Sequence, residues 1–132
     1  RIALAHDPDG RMVVLRVASL TGSLYQWTHN ALGAAQIGMS EAEIAALKLR
    51  PEAGPWDETE AAILTAIDQL IGQGMLDDAI WSRLSAVLSV EQILDLIQAT
   101  GYFTTVAWTL KSAGVQLEAD FAEFSRNRAK AE

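Results

Sequence analysis

The stretch Val14-Leu-Arg-Val-Ala-Ser-Leu-Thr-Gly-Ser-Leu-Tyr-Gln-Trp-Thr-His29 decides the fold of this chain. Apolar side chains fill its first half and extend back to Met12, which predicts a largely buried helix ending near Thr21-Gly22. Its second half opens another helix, from about Ser23 to Gln36, which Gly38 is placed to end in the left-handed conformation. The stretch therefore predicts two successive buried helices.

Helix-start signals recur along the rest of the chain, and three of them are capping boxes, in which two polar side chains bond the backbone reciprocally. The five helix-start signals are Asp7-Pro8, Ser40-Glu-Ala-Glu43, Asp57-Glu-Thr-Glu60, Asp77 and Ser89-Val-Glu-Gln92. The capping boxes are those that open at Ser40, Asp57 and Ser89. Glycines at 72, 74 and 114 fall where helix ends belong. Because no alternating apolar pattern is bounded by hairpin turns, we expect an all-α protein.

The chain has the size of one domain, and we predict a single domain over residues 1–132, with 119–132 a tail or a further helix. Apolar helix faces wide for this size favour self-association. The long apolar stretch Ile93 to Leu110 holds Asp95 and Gln98, which favours a buried core helix over a membrane span.

Charge and cysteine content exclude several classes of function. Ten basic residues against 17 acidic ones give a net charge of −7, which argues against nucleic acid and anionic membrane surfaces as partners. The absence of cysteine excludes disulfides, thiolate nucleophiles and Cys-ligated metals, and it is compatible with the cytoplasmic location we expect. The chain begins at Arg1 and its first residues lack a signal-peptide pattern.

His29 is the side chain best suited to chemistry at neutral pH. Gln26 and Asn30 share its helical face, and small residues follow it, which favours burial of this helix. A lone histidine on a helix is nevertheless more often a structural hydrogen-bonding residue. The only other histidine, His6, precedes a helix start and is expected to be exposed, so no multi-His metal site fits one chain.

Neither the carboxylates nor the aromatic residues identify a catalytic or binding site by themselves. Asp68 and Asp95 are expected on the solvated faces of their helices. The aromatic residues of the two most apolar helices could wall a pocket or could simply be core. They are Tyr25, Trp27, Tyr102 and Trp108. There is no glycine-rich phosphate loop or dinucleotide fingerprint, and we expect no cofactor and no metal.

Three segments in order resemble the carboxymuconolactone decarboxylase family. The stretch from Val14 to His29 is similar to the family's apolar helix that leads through Thr-Gly-Ser to Tyr-Glu-Trp-x-x-His. The segment beginning Gly38-Met-Ser-Glu-Ala-Glu-Ile resembles its "Gly-Leu-Ser-x-x-Glu-Ile" segment. The last, from Gly101 to Glu118, resembles its late helix with a small-Gly-Val-x-Leu ending. The resemblance covers residues 11 to 118.

The resemblance implies an all-helical bundle like that of the alkylhydroperoxidase AhpD, assembled as a homotrimer or homohexamer with sites near subunit contacts. Family chains usually carry further helical sequence earlier, so N-terminal helices are expected to be missing here. Peroxidase-type relatives use a Cys-x-x-Cys pair, at whose spacing this chain has Gln26 and His29, so it is no thiol peroxidase. In decarboxylase-type relatives, the histidine matching His29 moves protons on a lactone acid.

Three positions depart from the family pattern. Gln26 stands where the family has glutamate, and a neutral amide can hydrogen-bond but cannot be a base. Arg11 matches a position that is often glutamate, and an arginine there could bind a carboxylate. Lys111 stands where asparagine is common. These changes point to a different substrate, a different reaction or a lost activity.

The leading hypothesis is a lyase-like enzyme that acts on a small organic acid or lactone by decarboxylation or related proton transfer. His29 would be the acid–base group, Gln26 and Arg11 would position the substrate, and four aromatic residues would line the pocket: Tyr25, Trp27, Tyr102 and Trp108. The alternative is a non-catalytic, self-associating helical binding protein or pseudoenzyme. A metal-dependent hydrolase would need ligands from neighbouring subunits.

Overall fold

The computed structural model describes residues 10–118, and throughout this range the chain is built from α-helices and short connections. The helices are α1 (Arg11–Thr21), α2 (Leu24–Gln36), α3 (Glu41–Ala46), α4 (Glu58–Gln73), α5 (Asp78–Ser85) and α6 (Val90–Ala113). A single 3₁₀ turn, Pro51–Ala53, precedes α4. Within the described range no residue is in a strand, so the prediction of an all-α chain is confirmed.

Helix α1 lies at the centre of the fold. Residues 12–18 are all buried, and the helix packs against α2, α4 and α6. Gly10 and Gly22 flank it with φ of 72° and 69°, a left-handed conformation that glycine adopts without steric cost. The first helical residue is Arg11, and the predicted start at Asp7-Pro8 lies outside the described residues, as do His6 and the tail 119–132.

The predicted capping residues start their helices. In the boxes opened by Ser40, Asp57 and Ser89, the side chain accepts from the third backbone N–H of the helix and the reciprocal bond is also present. Asp77 caps α5 without a reciprocal bond, and its side chain accepts from the N–H of Ile80. These bonds satisfy first-turn N–H groups that have no partner inside the helix.

Helix ends follow the glycine signals with one exception. Gly74 and Gly114 end α4 and α6 in the left-handed conformation, and Gly38, two residues beyond α2, has a φ of 100°. Gly72 instead remains helical, because the αL turn that ends α4 forms at Gly74. Local chemistry thus sets most of the boundaries.

Helix α6 is buried on only one face, so the prediction of a buried core helix was wrong for its outer face within one chain. Ile93, Leu96, Thr100 and Ala107 are buried at helical spacing, whereas Tyr102 and Trp108 on the outer face are 65% and 62% exposed. The buried face follows α6 for most of its 24 residues. No helix within residues 10–118 has the length and hydrophobicity to cross a membrane.

Asp68 lies at the edge of the predicted solvated face, with its side chain 31% exposed, and it pairs with a buried arginine. Its two oxygens accept from Nε and Nη2 of Arg16, each at 2.7 Å, and the Arg16 side chain is 5% exposed. Nη1 of Arg16 also donates to the carbonyls of Leu47 and Leu49. The charge carried into the core by α1 requires a carboxylate partner, since an unpaired buried charge is strongly unfavourable. Asp68 on α4 supplies it.

Candidate functional site

His29 lies on a half-exposed face of α2, one helical turn after Tyr25. The two rings stack with centroids 4.3 Å apart and planes inclined by 23°. Residues four apart lie on the same side of a helix, so the local sequence itself sets this pairing. The His29 side chain is 31% exposed, and solvent or a small molecule can therefore reach it.

Glu118, from the segment that follows α6, completes this group. Its Oε1 accepts from the Tyr25 hydroxyl at 3.0 Å, and its Oε2 lies 3.1 Å from Nε2 of His29. The left-handed turn at Gly114 reverses the chain after α6, with the N–H of Val115 bonded to the Leu110 carbonyl. This reversal brings a carboxylate to a histidine 89 residues away. We call Tyr25, His29 and Glu118 the His29 cluster.

The electrostatics of the His29 cluster keep a carboxylate beside a neutral phenol. A hydrogen bond from its own backbone N–H lowers the pKa of Glu118, and the bonds from Tyr25 and His29 act in the same direction. The hydrogen bond to Glu118 raises the pKa of Tyr25, with desolvation as a smaller cause. At neutral pH Glu118 is therefore ionised, and the neutral Tyr25 hydroxyl donates a hydrogen bond to it.

Gln26 lies beneath the cluster, not at its surface. It is 4% exposed, and its amide nitrogen donates to the backbone carbonyl of Phe103 at 3.0 Å, which ties α2 to α6. Its Oε1 is buried without a hydrogen-bond partner among the described residues. The Gln26 amide thus makes an interhelical bond through its nitrogen, while its oxygen has no partner among the described residues.

Arg11 reaches α2 from the start of α1. Its Nη1 donates to Oδ1 of Asn30 at 2.7 Å, and the amide nitrogen of Asn30 donates to the Gln26 carbonyl. The guanidinium lies against Gly33, where an added Cβ would come within 2.6 Å of Cζ. The absent side chain of Gly33 therefore makes the space that Arg11 occupies. The Arg11 guanidinium is therefore held beside Asn30, the residue that follows His29 in sequence.

The four aromatic residues predicted to wall one pocket are not brought together within one chain. Tyr25 belongs to the His29 cluster, whereas Trp27 is 7% exposed and has Nζ of Lys48 at 4.6 Å from its ring centroid. Tyr102 and Trp108 are exposed on the second half of α6. Contacts within this chain alone therefore do not form a pocket wall shared by all four rings.

His29 lines neither of two cavities whose walls are made of described residues. The larger has a volume of about 620 Å³ and lies between α1, α4 and α6, with Trp108, Ile97 and Leu70 among its walls. The smaller, of about 260 Å³, lies at the N-terminal end of α2. In the part of the chain that the structure describes, no three side chains of histidine, aspartate or glutamate gather as metal ligands.

Sequence reasoning missed Glu118 as a site residue. It follows the small-Gly-Val-x-Leu ending that the resemblance singled out, but nothing near it in sequence marks it as a partner of His29. The available signal was the left-handed turn expected at Gly114, which sends the chain back along α6. Without the packing of α6 on α1, that turn does not say which helix the chain meets.

Comparisons with known proteins support the fold and go no further. No family model matches the sequence, and no curated protein matches it. A crystallised Agrobacterium tumefaciens protein of unknown function, assigned as a candidate antioxidant defence protein AhpD, superposes with a TM-score of 0.74 at 21% identity. The match covers 83% of this chain and 76% of that one. The chain therefore has the AhpD-like all-α fold, as the resemblance implied, and its lack of cysteine is consistent with a non-thiol branch.

Proposed function

We propose that this chain is a carboxymuconolactone decarboxylase-like enzyme that acts on a small organic acid or lactone, with His29 as the acid–base group. The observation that carries the proposal is the contact between Nε2 of His29 and Oε2 of Glu118 at 3.1 Å, on a side chain that remains 31% exposed. A carboxylate beside an imidazole fixes the orientation of the ring. The histidine remains reachable by a substrate.

The proposed decarboxylation needs one proton and no cofactor. The bond to the substrate's carboxylate carbon breaks, carbon dioxide leaves, and the electron pair passes into a conjugated lactone carbonyl. Protonated His29 then gives its proton to the carbon that lost the carboxylate, and solvent restores the proton to His29. Arg11, held next to Asn30, is the available cation for the substrate's carboxylate.

Self-association is part of the proposal. Exposed apolar residues on α6, notably Leu94, Tyr102 and Trp108, are the surface that a second copy would cover. A trimer or hexamer built through α6 would add walls that one chain lacks around its aromatic residues. Light scattering of the purified protein measures this directly, and a monomer at micromolar concentration would contradict it.

A second candidate is a non-catalytic helical protein in which the His29 cluster only holds down the segment after α6. It is favoured by the fact that Tyr25 donates to Oε1 of Glu118 and His29 contacts Oε2, so both carboxylate oxygens have a partner without a substrate. Gln26, buried and bonded to a backbone carbonyl, is likewise occupied structurally. The two candidates differ in whether His29 needs to exchange its proton.

His29→Gln separates the two candidates. Glutamine keeps an N–H that can donate to Glu118 but cannot move a proton at neutral pH. We expect His29→Gln and His29→Ala both to lower turnover on lactone carboxylic acids, followed by carbon dioxide release, by about 10²- to 10⁴-fold. Their melting temperatures should differ, with His29→Gln nearer the unmodified protein.

His6→Ala is the matched control, because it removes the other histidine of the sequence. It should leave turnover unchanged. Full turnover by His29→Ala on an identified substrate would overturn the enzyme assignment. Metal analysis of the purified, active protein tests the hydrolase alternative, and a stoichiometric metal would favour ligands shared between subunits.

A further inference from the structure

The smaller cavity lies on a different side of α2 from the His29 cluster. Ser23 and Trp27 are four residues apart and share one face of the helix, whereas Tyr25 and His29 share another. The cavity, of about 260 Å³, lies between this face and the end of α1, and Lys48 closes its rim. Any ligand here would occupy a site separate from the proposed acid–base group.

Ser23 is the first indication that this cavity receives a ligand. It is the N-cap residue of α2, a position where serine normally accepts a hydrogen bond from the first turn, yet its side chain makes no capping bond. The residue is 1% exposed, and its Oγ has no hydrogen-bond partner in the part of the chain described. A buried hydroxyl without a partner is unfavourable, and Ser23 is among the residues that line the cavity.

The backbone of α2 adds donors beside that hydroxyl. The first N–H groups of an α-helix have no acceptor within it, and they carry the positive end of the helix dipole. Because Ser23 does not cap the 13-residue α2, its side chain leaves these first-turn groups to other acceptors. A helix end of this kind suits an anion.

Two lysines concentrate positive charge at the same turn. Lys48 lines the cavity with its ammonium 4.6 Å from the Trp27 ring centroid. Lys111 donates to the Thr21 carbonyl at 2.6 Å, and its Nζ lies 3.7 Å from the position a Cβ would take on Gly22. In a protein with a net charge of −7, this is a local field of opposite sign.

We propose that this cavity binds a tetrahedral oxyanion, the phosphate group of a small metabolite. Backbone N–H groups of the first turn, the Ser23 hydroxyl and the Lys48 ammonium offer donors to more oxygens than a carboxylate carries. Leu24 and Trp27 form apolar walls beside these donors, where the rest of a small molecule fits. Lys111 contributes charge without lining the cavity.

The test is a calorimetric titration of inorganic phosphate into the full chain at constant ionic strength, with melting temperatures measured alongside. We expect saturable binding and a rise in melting temperature, since a ligand that binds only the folded state stabilises it. Lys48→Gln and Ser23→Ala should each weaken phosphate binding on the order of tenfold, the loss of one charge-assisted or neutral donor. Ser23→Ala should not lower the phosphate-free melting temperature, because its hydroxyl has no bond to lose and is unfavourably buried.

Arg83→Gln on α5 is the matched control, since it removes the same charge from a residue outside the cavity. It should bind phosphate like the unmodified protein. Equal weakening by Arg83→Gln and Lys48→Gln would show a general charge effect and overturn the site. Acetate bound as tightly as phosphate would overturn the tetrahedral assignment, and the absence of saturable phosphate binding would overturn the proposal itself.

Discussion

Arg16 and His29 each contact a carboxylate far along the chain, but the basic side chain is buried in one pair and exposed in the other. The Arg16 side chain is 5% exposed and makes four hydrogen bonds, two to Asp68 and two to backbone carbonyls. The His29 side chain is 31% exposed, and that of Glu118 is 56% exposed. We call Arg16 and Asp68 the enclosed pair for its buried guanidinium, since the Asp68 side chain itself is 31% exposed, and it fixes α1 against α4. The open pair contributes little to folding and is free to exchange protons with solvent.

Breaking the enclosed pair should give the largest effect on stability. Asp68→Ala leaves the Arg16 charge buried without its carboxylate, and we expect a loss of about 3 kcal/mol in the free energy of unfolding, measured by urea titration. Asp78→Ala, an exposed acidic residue of α5, is the control and should change stability by less than about 0.5 kcal/mol. A loss below about 1 kcal/mol for Asp68→Ala would mean that water reaches Arg16 and that the pair is not enclosed.

Substitution of Gly33 should give an intermediate effect, because it moves the Arg11 guanidinium, which bonds the residue after His29. An alanine Cβ there would come within 2.6 Å of the Arg11 guanidinium and displace it from Asn30. Alanine is favoured over glycine within a helix by about 1 kcal/mol, so the net change should be small or slightly destabilising. Gly72→Ala in α4 meets no atom within 4 Å and should show the helix gain alone.

The difference between Gly33→Ala and Gly72→Ala in urea unfolding therefore measures the cost of moving Arg11. If Arg11 binds the substrate carboxylate, Gly33→Ala should also raise KM while kcat stays the same. Identical stabilisation by the two substitutions, with unchanged KM, would show that the position of Arg11 is immaterial.

The pH dependence of the open pair should give the smallest effect. The pKa of Glu118 is lowered from 4.5, so its contribution is present above pH 4.5 and is lost as the pH falls through the lowered pKa. The pKa of Tyr25 is raised from 10.0, so its contribution is present below pH 10 and is lost as the pH rises through the raised pKa. Melting temperature against pH, compared with Glu118→Gln, isolates both contributions.

Tyr25→Phe separates the two contributions to the melting temperature. It should remove the alkaline limb, the loss of stability at high pH, because the phenol is gone. It should leave the acid limb, the loss of stability at low pH, because His29 still contacts Glu118. If Tyr25→Phe and the unmodified protein lose stability together at high pH, the alkaline limb comes from another group.

Helix boundaries could be predicted because their causes are local. Ser40, Asp57 and Ser89 bond groups three residues away, so the sequence contains both partners of each bond. The all-helical fold followed from these signals together with the resemblance. The exposed apolar face of α6 could not be predicted, because hydrophobicity alone does not say which side of an apolar helix the neighbouring helices cover.

The long-range contacts of the site had no such signal. Asp68 lies 52 residues from Arg16, and helical periodicity places a residue relative to its own helix only. Glu118 lies 89 residues from His29 and follows a turn whose direction depends on tertiary packing. His29 could be chosen from its residue type and motif, whereas its partner could not.

The central position of α1 has a consequence for synthesis on the ribosome. The apolar surface of α1 is completed only when α6 packs on it, and about 90 residues separate the ends of the two helices. At roughly 5–20 residues per second, this interval is about 5–18 s. Throughout that time α2 and then α4 can cover part of α1, while the remainder is exposed. The emerging chain thus carries an exposed apolar helix, and with it a risk of aggregation, until α6 has been made.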